Sequence, residues 1–322
     1  MQLIAILLIT VSILTFLSGA TVMLGSSKGD RIRSLWFFMA TIFATVWMVS
    51  ISLFLIAKPE WNGLVDWHVK WTYISAIFID VALLAYISWK KKFGKIITFI
   101  FLIAGIVLSA FFARNPSLLY TGINLTPAGN SLVTNIGPFY FAYIGFFCCL
   151  VPTVILTLLK QIIDTRSSRT HKSDIVLLIG FMISGTMSLI FNLILPLWTW
   201  KYIWLGPLAI STTIIAFYYT ILRYRALSLN SRWLKILSYV VIITSFAVIY
   251  MVVFSIIFAV MFRGSTPSTE VIILNFIMTL FFLLLMPATS ELTNFIRSLI
   301  SDQNTGKENK VKTIAKKDNA DR

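Results

Sequence analysis

Nine stretches of this 322-residue chain are apolar over lengths that can cross a bilayer: residues 3–24, 35–57, 71–89, 94–113, 138–159, 175–198, 203–222, 236–262 and 271–288. A membrane helix needs about 20 such residues, and within lipid the backbone must satisfy its own hydrogen bonds, which confines the chain to helices or a closed barrel. Continuous apolar runs, rather than an alternating pattern, select helices. The expected fold is therefore an all-α integral membrane protein with about nine transmembrane helices. The ninth is the weakest, because Pro287 interrupts it and the amphipathic ATSELTNFIRSLI follows.

The breaks between runs carry the charge, and their sign sets the orientation expected. The net charge is +15, but Lys and Arg are gathered in short loops, the pattern of membrane orientation and not of a nucleic-acid surface. With the N-terminus outside and the C-terminus cytoplasmic, the inner breaks hold Lys28, Arg31 and Arg33, then Lys90 to Lys95, Lys160 to Lys172, Arg223 to Lys235, and the tail. Only Lys58, Lys70, Arg114, Lys201 and Arg263 of the 27 basic residues fall outside. The first run has its charges after it and so reads as a retained helix, not a cleaved secretory signal. Trp61, Trp67, Trp71, Trp198, Trp200 and Trp204 mark one membrane edge and Trp36, Trp89 and Trp233 the other, leaving Trp47 deep. Cys148 and Cys149 are adjacent within an apolar run and read as small core residues.

Little in the sequence points to catalysis. There is no HExxH, no paired aspartates in the helices, and no Walker, Rossmann or kinase nucleotide motif. His68 and His171 are expected at opposite membrane edges, so no metal and no cofactor is expected. The residue that asks for an explanation is Asp80, in AIFIDVALL, the one acidic group near a helix middle. An ionised carboxylate there costs at least about 2.5–3.5 kcal/mol. Asp80 is thus protonated, or tied to neutral partners such as Asn192 or Asn275, or facing a wet cavity; its role is a ligand contact or a polar tie between helices. Asn192 and Pro196 read either as a kinked cavity wall or as packing, and Gly180, Ser184 and Gly185 as places of close helix approach. The break from about Arg114 to Ile136 is the only outer loop long enough to fold over a site.

The segment LGPLAISTTIIAFYYTILRYRALSLN, closing on Arg223, Tyr224 and Arg225, resembles the end of the N-terminal seven-transmembrane sensor region of bacterial histidine kinases. NIGPFYFAYIGFFCCLVPTVILTLLKQIIDTRSSRTHKSDIVLLIGFMISGTMSLIFNLILP is similar to that region's helices five and six. The resemblance implies a seven-helix sensor-like region over 1–230, two further helices and an amphipathic exit over 231–300, and a polar cytoplasmic tail over 301–322. No phosphoacceptor histidine or nucleotide-binding box follows, so the expectation is a multi-pass plasma-membrane sensing and transmitting module that is not itself an enzyme. Its expected partners are the lipid bilayer, a kinase acting in trans, and a small or lipophilic ligand held near Asp80, Asn192, Trp71 and Trp204, with Arg223, Tyr224 and Arg225 as the signal exit. The alternative is a small proton-coupled permease or exporter.

Overall fold

The computed structural model describes residues 2–27, 29–56, 62–89, 91–125, 132–164, 171–197, 202–224 and 241. All of them belong to the first of two compact units, residues 1–249. The apolar runs at 236–262 and 271–288 and the tail lie outside the described residues, Val241 excepted.

Among the described residues, seven helices are long and apolar enough to cross a membrane. They are α1 (Gln2–Gly25), α2 (Arg31–Ile56), α3 (Asn62–Ser88), α4 (Lys92–Arg114), α5 (Tyr140–Asp164), α6 (His171–Leu189) and α7 (Leu205–Tyr224). Each coincides with one of the first seven apolar runs. The largest difference is at α3, which starts nine residues before its run because the mixed segment NGLVDWHVK extends the helix beyond its apolar part.

Neighbouring helices pack as α1 on α2, α2 on α3, α3 on α5, α5 on α6, α6 on α7 and α7 back on α1. This closes a ring of six, while α4 packs on α3. Burial follows that arrangement: 67% of the apolar window is buried in α3 and in α7, against 22% in α4. The outward residues are apolar at helical spacing, as at Ile96, Phe99, Ile100, Ile103, Ile106 and Val107 of α4. Such a face, bare in water, is suited to lipid. Cys148 and Cys149 lie on the exposed surface of α5, contrary to the core position expected of them. Proximity to other apolar residues in sequence did not reveal which face of the helix they occupy.

Inside the bundle, small and hydroxylated residues bring helices together. A Cβ on Gly19 of α1 would run into the Thr41 side chain of α2, and one on Gly180 of α6 into Cβ of Ala216 on α7. Ser184 hydrogen-bonds Thr213 across the α6–α7 seam, and the Thr213 hydroxyl donates to the Gly180 carbonyl at 3.1 Å. These contacts bear out the close-approach reading of Gly180 and Ser184. Most hydroxyls also donate to the preceding turn of their own helix, as Ser52 does to Met48 O at 2.7 Å, so few carry an unmet donor into lipid.

One region departs from helix. After α4, a short 3₁₀ turn (Pro116–Leu118) leads into an antiparallel hairpin of β1 (Tyr120–Leu125) and β2 (Leu132–Ile136). The Gly137 N–H donates to Leu119 O and the Phe139 N–H to Leu118 O, both at 2.8 Å, fastening the hairpin base to the start of α5. Leu119 and Tyr120 are buried there. The segment carries Pro, Gly and Asn residues that favour turns but also the β-branched residues that pair in strands.

Gly19→Leu is expected to destabilise the bundle by about 1–3 kcal/mol through overpacking, whereas Gly145→Leu, on an exposed face of α5 with open space at its Cβ, should change little. Reversible unfolding of both variants in lipid nanodiscs checks the contrast.

Candidate functional site

The site begins with a missing donor. Pro196 has no N–H, so the carbonyl four residues earlier, that of Asn192, loses its helical partner. The helix responds by widening: Ile190–Ile194 forms a π turn, continued by a 3₁₀ turn at Leu195–Leu197. The Leu195 N–H reaches back to Ile190 O, five residues instead of four. From α5, the Tyr140 hydroxyl lies 3.2 Å from Asn192 O and 3.0 Å from Leu193 O, the positions of a donor to these two carbonyls. A buried tyrosine thus supplies what the proline removes.

The π turn places Asn192 against a small cavity of about 30 Å³ lined by α2, α3, α5, α6 and α7. Asp80 of α3 and Trp47 of α2 line the same cavity. Neither amide atom of Asn192, nor Asp80 Oδ1, nor the Trp47 indole nitrogen has a hydrogen-bond partner. Asp80 is 9% exposed and Trp47 is 4% exposed, so water outside the bundle does not solvate them freely. Buried polar atoms are rarely left in this state. Four of them, on three side chains around one cavity, point to an occupant, whether water or ligand.

Among the described residues no Lys, Arg or His lines the cavity, and the remaining wall is mostly apolar, including Ile79, Phe147, Val151, Leu189 and Ile210. Gly206, at the start of α7, makes room for Asn192, since a Cβ there would occupy the position of its amide group. The hairpin end is closed by aromatic rings. Tyr73 of α3 stacks with Tyr120 of the hairpin at 6.4 Å and meets Tyr143 edge-on at 5.2 Å. Tyr143 itself lines the cavity and packs on Phe147 at 5.0 Å.

The structure therefore joins Asp80 and Asn192, as the sequence suggested, but around a cavity and not by a direct tie: both Asn192 amide atoms are unpartnered. The other partner considered, Asn275, lies outside the described residues. Trp71 and Trp204 do not line the cavity. Trp71 is nine residues before Asp80 on the same helix, about 13 Å along the axis, and Trp204 precedes α7, whose wall residue is Ile210. Gly185, read as a packing residue, is a wall residue. Trp47, Tyr140, Tyr143 and Gly206 were not singled out as site residues; the depth of Trp47 and the four-residue interval from Asn192 to Pro196 were the signals available.

At the opposite end of the bundle, Arg33 of α2 donates from Nε to Tyr86 O at 3.1 Å, with its guanidinium 4.7 Å from the Tyr86 ring centre. Tyr86, Phe37 and Phe217 form a cluster joining α3, α2 and α7, with centroids 5.5–6.3 Å apart. Arg223 and Tyr224 end α7, thirteen and fourteen residues beyond Ile210, or about 20 Å along the helix. Arg225 lies outside the described residues.

A bundle of seven apolar helices around an internal cavity defines a multi-pass membrane protein. The sequence model of the N-terminal 7TM region of histidine kinase matches residues 6–230, well over half the chain, which therefore belongs to that family. No curated protein and no solved structure matches it.

Tyr140→Phe is expected to cost about 1–3 kcal/mol by stranding the carbonyls of Asn192 and Leu193. Pro196→Ala restores an N–H to α6, so the same tyrosine change should cost less in that background. A double-mutant cycle of unfolding free energies tests the exchange.

Proposed function

We propose that this chain is a membrane sensing module that binds a small ligand in the Asp80–Asn192 cavity and passes the resulting shift along α7. The observation that carries the reading is the set of unpartnered buried polar atoms around one cavity, in a chain of the histidine-kinase sensor family. A ligand that satisfied them in one helix packing better than in another would move the equilibrium between the two. α7 is suited to carry that movement, since it lines the cavity at Ile210 and touches α2 and α3 through Phe217 nearer its C-terminal end.

The Lys and Arg distribution supports an outer N-terminus, with the hairpin outside and the Arg33 end facing the cytoplasm. The later apolar runs would then continue the path as helices eight and nine. Output is assigned to a partner kinase in trans, reached from the basic exit at Arg223, Tyr224 and Arg225 and the segment after residue 288; no catalytic step is assigned to this chain. Asp80 would serve equally as the proton site of a permease, and proton-driven uptake into proteoliposomes that vanishes in Asp80→Asn would replace the sensing reading.

Photocrosslinkers placed after residue 288 in native membranes should capture a histidine kinase or response regulator. Cysteines at the ends of the seventh and eighth runs should crosslink at a rate that changes when the cavity is occupied, and that change should fall at least severalfold in Asp80→Asn. Capture of lipid alone, with a crosslinking rate indifferent to every ligand, would remove the transmission claim.

A further inference from the structure

We infer that the start of α4 is a docking surface for an anionic glycerophospholipid, with its phosphate at Lys92 and Lys95 and an acyl chain along the helix. The surface is separate from the cavity and does not depend on the sensing reading. Two neighbouring cations are engaged within the protein: Arg33 lies 3.8 Å from Asp30 and over the Tyr86 ring, and Lys91 pairs with Asp164 at 2.5 Å. Lys92 and Lys95 are exposed and pair with no carboxylate among the described residues. Three residues apart, they rise from one face of α4, and their charge is left for a group outside the chain.

Two further features select a lipid. Lys95 Nζ lies 5.3 Å from the centre of the Trp89 ring, and Trp89 meets Trp36 of α2 at 5.6 Å. Tryptophan rings favour the headgroup zone, which sets both lysines at the depth of a lipid phosphate. Below them, Ile96, Phe99, Ile103 and Ile106 continue the same face at helical spacing, all exposed. Lys95 to Ile106 spans about 16 Å along the axis, close to the depth of one leaflet, half of a hydrocarbon core of about 30 Å. A glycerophospholipid has the same plan, a phosphate at the surface and a tail through one leaflet. A zwitterionic lipid would cover the stripe equally but brings its own ammonium beside the phosphate, so the lysines favour an anionic headgroup. A second copy packed α4 on α4 about a two-fold axis along the membrane normal would instead crowd four lysines together.

The test is native mass spectrometry of the full chain loaded with an equimolar mixture of phosphatidylglycerol and phosphatidylcholine carrying identical acyl chains. Phosphatidylglycerol should be retained severalfold over phosphatidylcholine. The double variant Lys92→Gln with Lys95→Gln should lose most of that preference, whereas Arg114→Gln, at the far end of α4, should keep it. Equal retention of the two lipids, or a loss in Arg114→Gln as large as in the double variant, would overturn the site. Displacement of the bound lipid by millimolar inorganic phosphate, or capture of a second copy of the chain in place of lipid, would overturn the lipid assignment. Because both lysines are exposed, the double variant should melt with the native chain in nanodiscs of phosphatidylcholine alone. Adding phosphatidylglycerol to the nanodiscs should raise the melting temperature of the native chain only, and an equal rise in both would count against the site.

Discussion

Lipid offers no hydrogen bonds, and that constraint makes the pairing of Pro196 with Tyr140 the feature on which the centre of this bundle depends. In water a proline near a helix end frees a carbonyl that solvent can satisfy at little cost. Within a membrane the freed carbonyl needs a protein donor, and the Tyr140 hydroxyl is buried against it. The widened turn that results gives α6 a register it would not have as a regular helix, and π turns are common at functional sites because they re-aim side chains. Here the re-aimed side chain is Asn192, accommodated by the absence of a Cβ at Gly206.

The cavity and the opposite end of the bundle share two helices. α3 carries Asp80 in the wall and Tyr86 six residues later, beside Arg33; α7 carries Ile210 in the wall and Phe217 seven residues later, against Tyr86 and Phe37. The seven-residue interval in α7 is close to two helical turns, so Ile210 and Phe217 face similar sides, whereas the six-residue interval in α3 is about 1.7 turns and sets Tyr86 roughly 120° around the helix from Asp80. These contacts make a continuous packed route, but a route in space is not a coupling: a signal needs two arrangements of the route that ligand distinguishes. The α6–α7 seam is well placed to hold them, since it joins the Pro196-disrupted helix to α7 through Ser184, Thr213 and the close approach of Gly180 to Ala216.

The first seven apolar runs were legible because the membrane-spanning signal is strong and needs only length and composition. Asp80 and Asn192 were legible as anomalies, one a charge at depth and the other an amide beside a proline. What joined them was not legible, since the wall comes from five helices separated by long stretches of chain. Tyr140 and Tyr143 belong to a sequence rich in aromatic residues, where nothing local separates a ring that donates to a carbonyl from one that fills space. Trp71 and Trp204 failed for a related reason: tryptophan marks a membrane edge as readily as a pocket, and these two lie away from the cavity wall. The strands after α4 were hidden by the turn-forming residues around them.

The polar wall also bears on how rigid the empty bundle can be. Leaving a buried polar atom without a partner costs on the order of 1–3 kcal/mol, and three side chains around one cavity carry four such atoms. Water entering through the mouth can recover part of that cost, and a helix shift that brings Asp80 to Asn192 can recover another part. A protein whose purpose was only to hold helices together would be more stable with apolar residues at these positions. Under the proposed sensing role, an occupant that satisfied these atoms in one helix packing and not in another would return several kcal/mol to the first, enough to shift a two-state equilibrium by orders of magnitude.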